Sequence, residues 1–133
     1  MRPEIVIRQR LLQSPDVASR VGTRIFPMVR PASGPLAALP AIVYQRVAPG
    51  SRYAAHGEPS KLGNPRVQIM ALAGDVDEAW DIANAAREAL DGWSDRTATP
   101  RIDGVTCEQA IEQYEDDTHI YQVLFDAIVR FGT

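Results

Sequence analysis

The sequence lacks several features that whole classes of protein require. Cys107 is its single cysteine, which excludes an internal disulfide and a cysteine-based zinc site. No run of apolar residues approaches the roughly 20 residues of a membrane-spanning helix, and the charged N-terminus has no apolar signal-peptide core. We therefore expect a protein without a membrane segment, with the cytoplasm as its default compartment.

An excess of positive charge is also missing. The 14 basic residues are outnumbered by 17 acidic ones, which gives a net charge of −3, and Lys61 is the one lysine. Proteins that bind nucleic acid generally carry basic surfaces that neutralise phosphates. The charge therefore argues against a general nucleic-acid-binding protein.

Motifs for catalysis or phosphate binding are not found either. The stretch 74–80, GDVDEAW, lacks the spacing of a phosphate loop. His56 lies near two serines and Glu58, but no G-x-S-x-G motif and no third catalytic member accompany it. Cys107 precedes Glu108, so its thiol lacks a positive sequence neighbour and is expected to be a small buried residue. These residues favour polar surface and core over a catalytic site.

The chain is long enough to fold without a disulfide or a structural metal. It has 133 residues, of which 45% are hydrophobic. A domain of about 150 residues buries about two-thirds of the surface of its unfolded chain, so its core needs no disulfide or metal. We find no internal repeat and no low-complexity tract, and we expect one globular domain over residues 1–133.

The stretch from His119 to Phe131 is the most regular part of the sequence. Its odd-numbered positions from Tyr121 onward are all apolar, and its even-numbered positions are half apolar and half polar. Side chains two positions apart share one face of a strand. The pattern predicts a strand much longer than the usual length of about 5–6 residues. One face should lie in the core, and the strand should be central in a sheet or extend towards a partner.

Three helices are predicted from apolar stripes and end signals. Pro3 and Ser14-Pro15-Asp16 suit first helical turns. The third helix is alanine-rich, Asp75 and Glu78 have the spacing of a capping box, and Gly92 suits the position just past the end. The predicted helices are 3–13, 15–22 and 75–92.

Strands are predicted from short runs of β-branched and aromatic residues. They cover 24–26, 41–48, 66–74, 101–110 and 119–131. Pro27 should end the first strand. In the fourth, Ile102, Gly104 and Thr106 should face away from Asp103, Val105 and Cys107. The order α(α)–β–β–β–α–β–β segregates helices and strands, which predicts an α+β fold with an antiparallel or mixed sheet and helices on one face.

Residues 49–65 form the clearest predicted loop, because Gly, Pro and Ser interrupt any period. The loop would be the tip of a long extended hairpin over 41–74, and connections of this length are often functional. Arg52 with Tyr53 could contact nucleic acid by charge and stacking, but a subunit contact is favoured on an acidic protein. Four residues of the loop are therefore candidates for an assembly interface: Arg52, Tyr53, His56 and Lys61.

An acidic cluster precedes the last strand. Glu112, Glu115, Asp116 and Asp117, with His119 nearby, could supply oxygen ligands to a hard cation. The stretch has no glycine of the kind that shapes an EF-hand loop, and runs of charge are usually solvated. We expect an acidic link, a solvated turn between two strands.

Several segments in this order resemble a known family. They are GTRIFP at 22–27, PAIVYQ at 40–45, RVQI at 66–69 ahead of a helix that ends ALDG, and IDGV followed by YEDDTHIYQVLFD. The pattern extends from Ile7 to Phe131. It resembles the tail completion, or tail terminator, proteins of long-tailed phages and phage-derived particles.

The resemblance implies a structural protein of the virion tail or neck, present in the host cytoplasm during assembly. Such proteins have a small α+β fold and form a six-membered ring. The ring caps the head-proximal end of the tail tube, ends tube growth and meets the head connector or stopper protein. DNA passes through its channel without specific binding, and neither catalysis nor a cofactor is implied. Glu112, Glu115, Asp116 and Asp117 then become candidates for the channel wall or a subunit contact.

Three alternatives remain at this stage. Another neck or stopper protein of the same particle would share the fold and the oligomeric state. A small metal-dependent enzyme would use the acidic residues of 112–119. A generic ligand-binding or dimeric α+β module would form a small oligomer without affinity for tail tubes.

Overall fold

The computed structural model describes residues 3–29, 38–48, 62–63 and 65–132. The proposed assembly residues Arg52, Tyr53, His56 and Lys61 lie outside these ranges. None of the described helices is long and apolar enough to cross a membrane.

The three predicted helices are confirmed. They are α1 (Pro3–Gln13), α2 (Pro15–Val21) and α3 (Val76–Leu90). The Ser14 hydroxyl caps α2 by accepting a hydrogen bond from the Val17 backbone N–H at 3.4 Å. Asp75 occupies the corresponding position before α3, but its side chain makes no capping hydrogen bond, so the predicted capping box is wrong.

The described residues also form seven strands in one mixed sheet. They are β1 (Ile25–Pro27), β2 (Ala41–Ala48), β3 (Leu62–Gly63), β4 (Arg66–Ala73), β5 (Arg101–Cys107), β6 (Ile111–Glu115) and β7 (Ile120–Gly132). The sheet order is β1-β2-β4-β7. Strand β3 pairs with β7 on the same side as β4, and β5 and β6 both pair with β7 on its other side. The α+β fold is thus confirmed, and β1–β2 is its parallel pair.

The long C-terminal strand is the centre of this sheet, as the alternation predicts. Its odd-numbered residues from Val123 to Phe131 are all buried in the main core, beneath the helices. Helix α3 packs on β4 and β7, and its alanines allow the close approach. The hairpin over 41–74 is also confirmed, because β2 and β4 pair antiparallel.

Several boundary predictions are wrong. Pro27 lies within β1, whereas the sequence predicts that the strand ends before it. A proline without an N–H is tolerated in a strand at the edge of a sheet. Leu62–Gly63 belongs to a strand that pairs with β7, although the sequence predicts a loop up to residue 65. The acidic link is also wrong in part, because Ile111–Glu115 forms β6.

Strand β5 departs from the predicted alternation. It ends at Cys107 rather than at residue 110, and its register against β7 shifts between Ile102 and Gly104. The extra residue is Asp103, which is exposed, while Ile102 and Val105 are both buried. A bulge of this kind changes which side chains face the core beyond it. Ile102 and Val105 therefore both face the core, whereas the predicted alternation places them on opposite faces of the strand.

Gly92 is a position where the backbone requires glycine. Its φ is +78°, and its N–H donates a 2.8 Å hydrogen bond to the Val105 carbonyl, which ties the end of α3 to β5. We expect Gly92→Ala to lower the free energy of unfolding by about 1 kcal/mol, because a Cβ disfavours left-handed backbone. Gly74→Ala is the matched control, since both sites have open space for a Cβ and Gly74 does not have a positive φ. Equal effects in urea denaturation would contradict this explanation.

Candidate interaction surfaces

The sheet face opposite the helices carries an open apolar groove. Its buried centre consists of Val43, Leu72 and Ile120, against which Leu39 and Met70 pack. The groove has a volume of about 290 Å³ and crosses β2, β4 and β7. Its ends differ, with exposed Met28 and Val29 at one and with Glu115 and Thr118 at the other.

Strand β6 and the start of β7 form a hairpin whose turn is residues 116–119. Glu112 and Glu115 lie on β6, at an odd spacing that places them on opposite faces of the strand. The Trp80 indole N–H donates a 2.7 Å hydrogen bond to Glu112, and the Gln122 amide donates one of 3.1 Å to Glu115. Asp116 and Asp117 are exposed in the turn.

The hairpin thus separates the carboxylates that are neighbours in the sequence. Within the described ranges, no group of three or more His, Cys, Asp or Glu side chains is arranged to hold a metal ion. The arrangement gives no support to a metal-dependent enzyme at 112–119. It presents an acidic projection at the surface.

Aromatic side chains accompany these acids on the helix side of the hairpin. Tyr114 is 46% exposed, its ring centre lies 4.8 Å from that of Tyr121, and its hydroxyl lies 2.8 Å from Nδ1 of His119. A second groove of about 300 Å³ runs beside them, lined also by Val76 and Glu112. Neither Tyr114 nor Trp80 was predicted from the sequence as part of a surface. Segments 111–115 and 120–124 flank a four-residue polar turn, but the exposed residues of 111–115 have no apolar period that marks them as a strand.

The described strands at the sheet margins differ in how their outer edges are protected. The outer edge of β5 is covered: Ile102 bridges to Asp95, and the Cys107 N–H donates to the Asp91 carboxylate at 3.0 Å. That of β1 is blocked, because Ile25 O accepts from the Arg8 guanidinium at 3.0 Å and Pro27 has no N–H. No backbone hydrogen bond from the described residues reaches the outer edge of β6.

The exposed large hydrophobic residues of the described chain fall at the same margins. Ile111 (56% exposed) and Tyr114 lie on β6. Met28 (63%), Val29 (74%) and Val47 (42%) lie at the β1–β2 side of the sheet. Exposed apolar residues that gather in patches, instead of lying scattered, mark contact surfaces.

Cys107 is half-buried at the end of β5 and belongs to neither surface. Burial raises the pKa of its thiol to about 12, the Asp91 carboxylate adds to this effect and Arg87 opposes it. The sequence predicts a buried residue, whereas the side chain is partly exposed. The raised pKa keeps the thiol protonated at neutral pH, and the thiolate is the nucleophile.

We expect Cys107 in the folded protein to react with iodoacetamide on the order of 10³ times more slowly than an unperturbed thiol at pH 8. The rate should rise about tenfold per pH unit up to roughly pH 11, because the thiolate fraction rises in that proportion. The same protein unfolded in urea is the control. A folded-state rate that levels off near pH 9 would contradict the raised pKa of the Cys107 thiol.

The chain is similar in sequence to a known protein family and in fold to a solved structure. The sequence model of the family described as "Tail completion protein gp17" matches residues 5–132. No curated protein sequence matches. Among solved structures, a chain of "Virion of native gene transfer agent (GTA) particle" superimposes with a TM-score of 0.74 and 18% identity, over 96% of this chain and 92% of that one. At this identity the likeness shows the fold alone.

Proposed function

The chain belongs to the tail completion protein gp17 family, and we propose that it forms the ring that caps the head-proximal end of a phage-like tail tube. It is a structural tail protein and a component of the virion. The finer proposal is that the ring is a hexamer that ends tube growth, joins the tail to the head connector or stopper protein, and leaves a channel for DNA.

The observation that supports this proposal best is the extent of the family match, which includes the open face and both margins of the sheet. A closed ring requires heterologous contacts, in which one surface of a subunit binds a different surface of the next. The two apolar margins of this sheet differ in composition and lie on opposite sides, as such a contact needs. No catalytic step or cofactor is part of the proposal.

The net charge of −3 suits a ring through which DNA passes. Carboxylates on the channel wall repel phosphates, so DNA would slide without being held. We propose that residues 1–133 act as one domain in this ring. The loop residues Arg52, Tyr53, His56 and Lys61 are proposed to contact a neighbouring protein, and Glu112, Glu115, Asp116 and Asp117 to lie at the channel or a subunit contact.

The test is to produce particles without this chain and to image them by electron microscopy. We expect heads without attached tails, and free tails of irregular length, because tube growth has no stop. Purified protein added to the lysate should restore joining. Tails of regular length beside unjoined heads would assign the chain to a head-side neck position instead. Normal particles would refute the proposal.

A further inference from the structure

A cluster of arginines lies at the end of the sheet where β7 finishes. Asp95 bridges to Ile102 of β5, which places Arg96 beside Arg101. Arg130 lies on β7, beside the bulge of β5. We call these three residues the arginine cluster. All of them belong to described parts of the chain: the loop before β5, β5 itself and β7.

The positive charge of the arginine cluster is only partly compensated. Arg101 donates hydrogen bonds of 2.7 and 3.2 Å to the Asp103 carboxylate. These bonds first, and the nearby charges of Arg96 and Arg130 after them, lower the pKa of the Asp103 carboxyl. Neither Arg96 nor Arg130 makes an ion pair with a described residue. Three arginines beside one aspartate therefore leave an excess of positive charge.

The guanidinium of Arg130 is held in place by neutral neighbours. Arg130 pairs in register with Gly104, where a Cβ would lie 2.9 Å from Nη2 of the arginine, too close for an ordinary contact. Nη1 donates a 3.2 Å hydrogen bond to the Thr106 hydroxyl. The missing side chain at Gly104 thus makes room for Arg130, and its exposed charge remains available to a partner.

The β6–β7 hairpin carries the opposite charge, which is also uncompensated. The hydrogen bonds to its carboxylates come from neutral groups, the Trp80 indole and the Gln122 amide. Four acidic residues of the hairpin make no ion pair with a described residue: Glu112, Glu115, Asp116 and Asp117. These carboxylates are therefore available to a positively charged partner.

Strand β7 separates the two charged groups. The hairpin turn precedes Ile120 at the start of the strand, and Arg130 lies near its end. At about 3.3 Å per residue, roughly 30 Å of strand lies between them. The acids and the arginine cluster of one subunit therefore cannot pair with each other, whereas those of two neighbouring subunits can.

We infer that the acidic hairpin of one copy binds the arginine cluster of the next copy. This inference rests on the ring proposed above, and it places the hairpin at the subunit contact instead of the channel wall. Guanidinium groups bind carboxylates through charge-assisted hydrogen bonds, and complementary charges fix which surfaces meet. Exposed Ile111 and Tyr114 on the same hairpin supply apolar surface beside these charges.

Charge also decides the symmetry of the contact. Two hairpins that met each other would bring the carboxylates of both copies together, and like charges that face each other disfavour such a contact. Two arginine clusters would repel in the same way. The attractive arrangement joins unlike ends, head to tail, and a head-to-tail contact whose rotation closes produces a ring.

The test reverses the charge of each end separately. One variant carries Glu115→Lys and Asp116→Lys, and the other carries Arg96→Glu and Arg130→Glu. All four positions are exposed, so the substitutions remove little packing from the subunit. Assembly, in solution and on purified tail tubes, is followed by sedimentation velocity and negative-stain imaging across concentration. Folding is checked by circular dichroism.

We expect each variant alone to self-associate at least about a hundredfold more weakly than the unaltered protein, since like charges now face each other. Mixed in equal amounts, the two variants should assemble again into rings of unaltered size, because copies that alternate present unlike charges at every contact. A variant with all four reversals should also assemble. Asp77→Lys with Glu88→Lys is the control, with added positive charge on exposed positions of α3, and should assemble normally.

A milder pair of variants covers the case in which a charge-reversed form does not fold. Arg96→Gln with Arg130→Gln removes charge from the arginine cluster without placing a new carboxylate beside Asp103. Glu115→Gln with Asp116→Asn removes charge from the hairpin. We expect each of these variants to self-associate at least about tenfold more weakly than the unaltered protein, because the attraction across the contact is lost.

The outcomes separate this inference from the proposed function. Rings that form normally from either charge-reversed variant or from both neutral variants, or a mixture that stays unassembled, would overturn the inference while the ring remains. A mixture that stops at pairs would indicate contact between like ends, which also overturns it. Unaltered protein that never self-associates, even on tail tubes, would refute the ring itself.

Discussion

Phe125→Ala is expected to lower the free energy of unfolding by about 3–5 kcal/mol, the usual cost of removing a fully buried phenylalanine. Phe125 is 2% exposed, at the middle of β7 and opposite Ile69 on β4. Its ring also lies under the Arg87 guanidinium, 5.9 Å from ring centroid to Cζ. Since domains of this size are stable by about 5–15 kcal/mol, a large share of the stability should be lost.

The measurement is urea denaturation at a protein concentration where the chain is monomeric, because assembly would add stability by mass action. Met28→Ala is the control, since its side chain is 63% exposed and should change the free energy by less than about 0.5 kcal/mol. A loss below about 1 kcal/mol for Phe125→Ala would show that β7 is not the centre of the core.

Ile111→Lys is expected to weaken self-association by at least about 30-fold while leaving the monomer folded. Ile111 is 56% exposed on β6, so its replacement removes little packing from the monomer. In the proposed ring, where the β6 margin is one of the contact surfaces, a lysine on this edge strand opposes the addition of another strand. Central contact residues of this kind commonly account for 2 kcal/mol or more of binding, which corresponds to about a 30-fold loss of affinity.

Two further variants test whether the lost apolar side chain or the added charge at position 111 weakens assembly. Ile111→Val keeps a branched apolar side chain and should assemble almost as well as the unaltered protein. Gln109→Lys adds the same charge two residues before β6, outside the strand, and should weaken assembly far less. Equal assembly of Ile111→Lys and the unaltered protein, measured by sedimentation velocity, would remove β6 from the subunit contact.

The regular elements could be predicted because their signals are local. The alternation over 119–131 and the alanine-rich stripe of α3 place apolar side chains at the period of one element, and a buried face must follow that period. Ser14 and Gly92 mark helix ends through their own backbone and side-chain chemistry. The family resemblance, now shown by the match over 5–132, also rests on the order of such local segments.

Strand β6 could not be predicted in this way. All five of its residues are exposed, so no apolar period distinguishes them from an acidic turn. What makes them a strand is their pairing with the first residues of β7 across the turn. The bulge at Asp103 was hidden for a related reason, because a register shift exists only relative to the partner strand.

Some features of the candidate surface follow from the sequence, and others follow only from the tertiary structure. The sequence by itself determined that acidic residues gather before the last strand and that β7 has one fully apolar face. Only the tertiary structure decided that Glu112 and Glu115 face opposite ways, and that within the described part of the chain the outer edge of β6 is open whereas those of β1 and β5 are not. The physical reason is that composition and period belong to one segment, whereas an edge is open or closed according to which distant segments pack beside it.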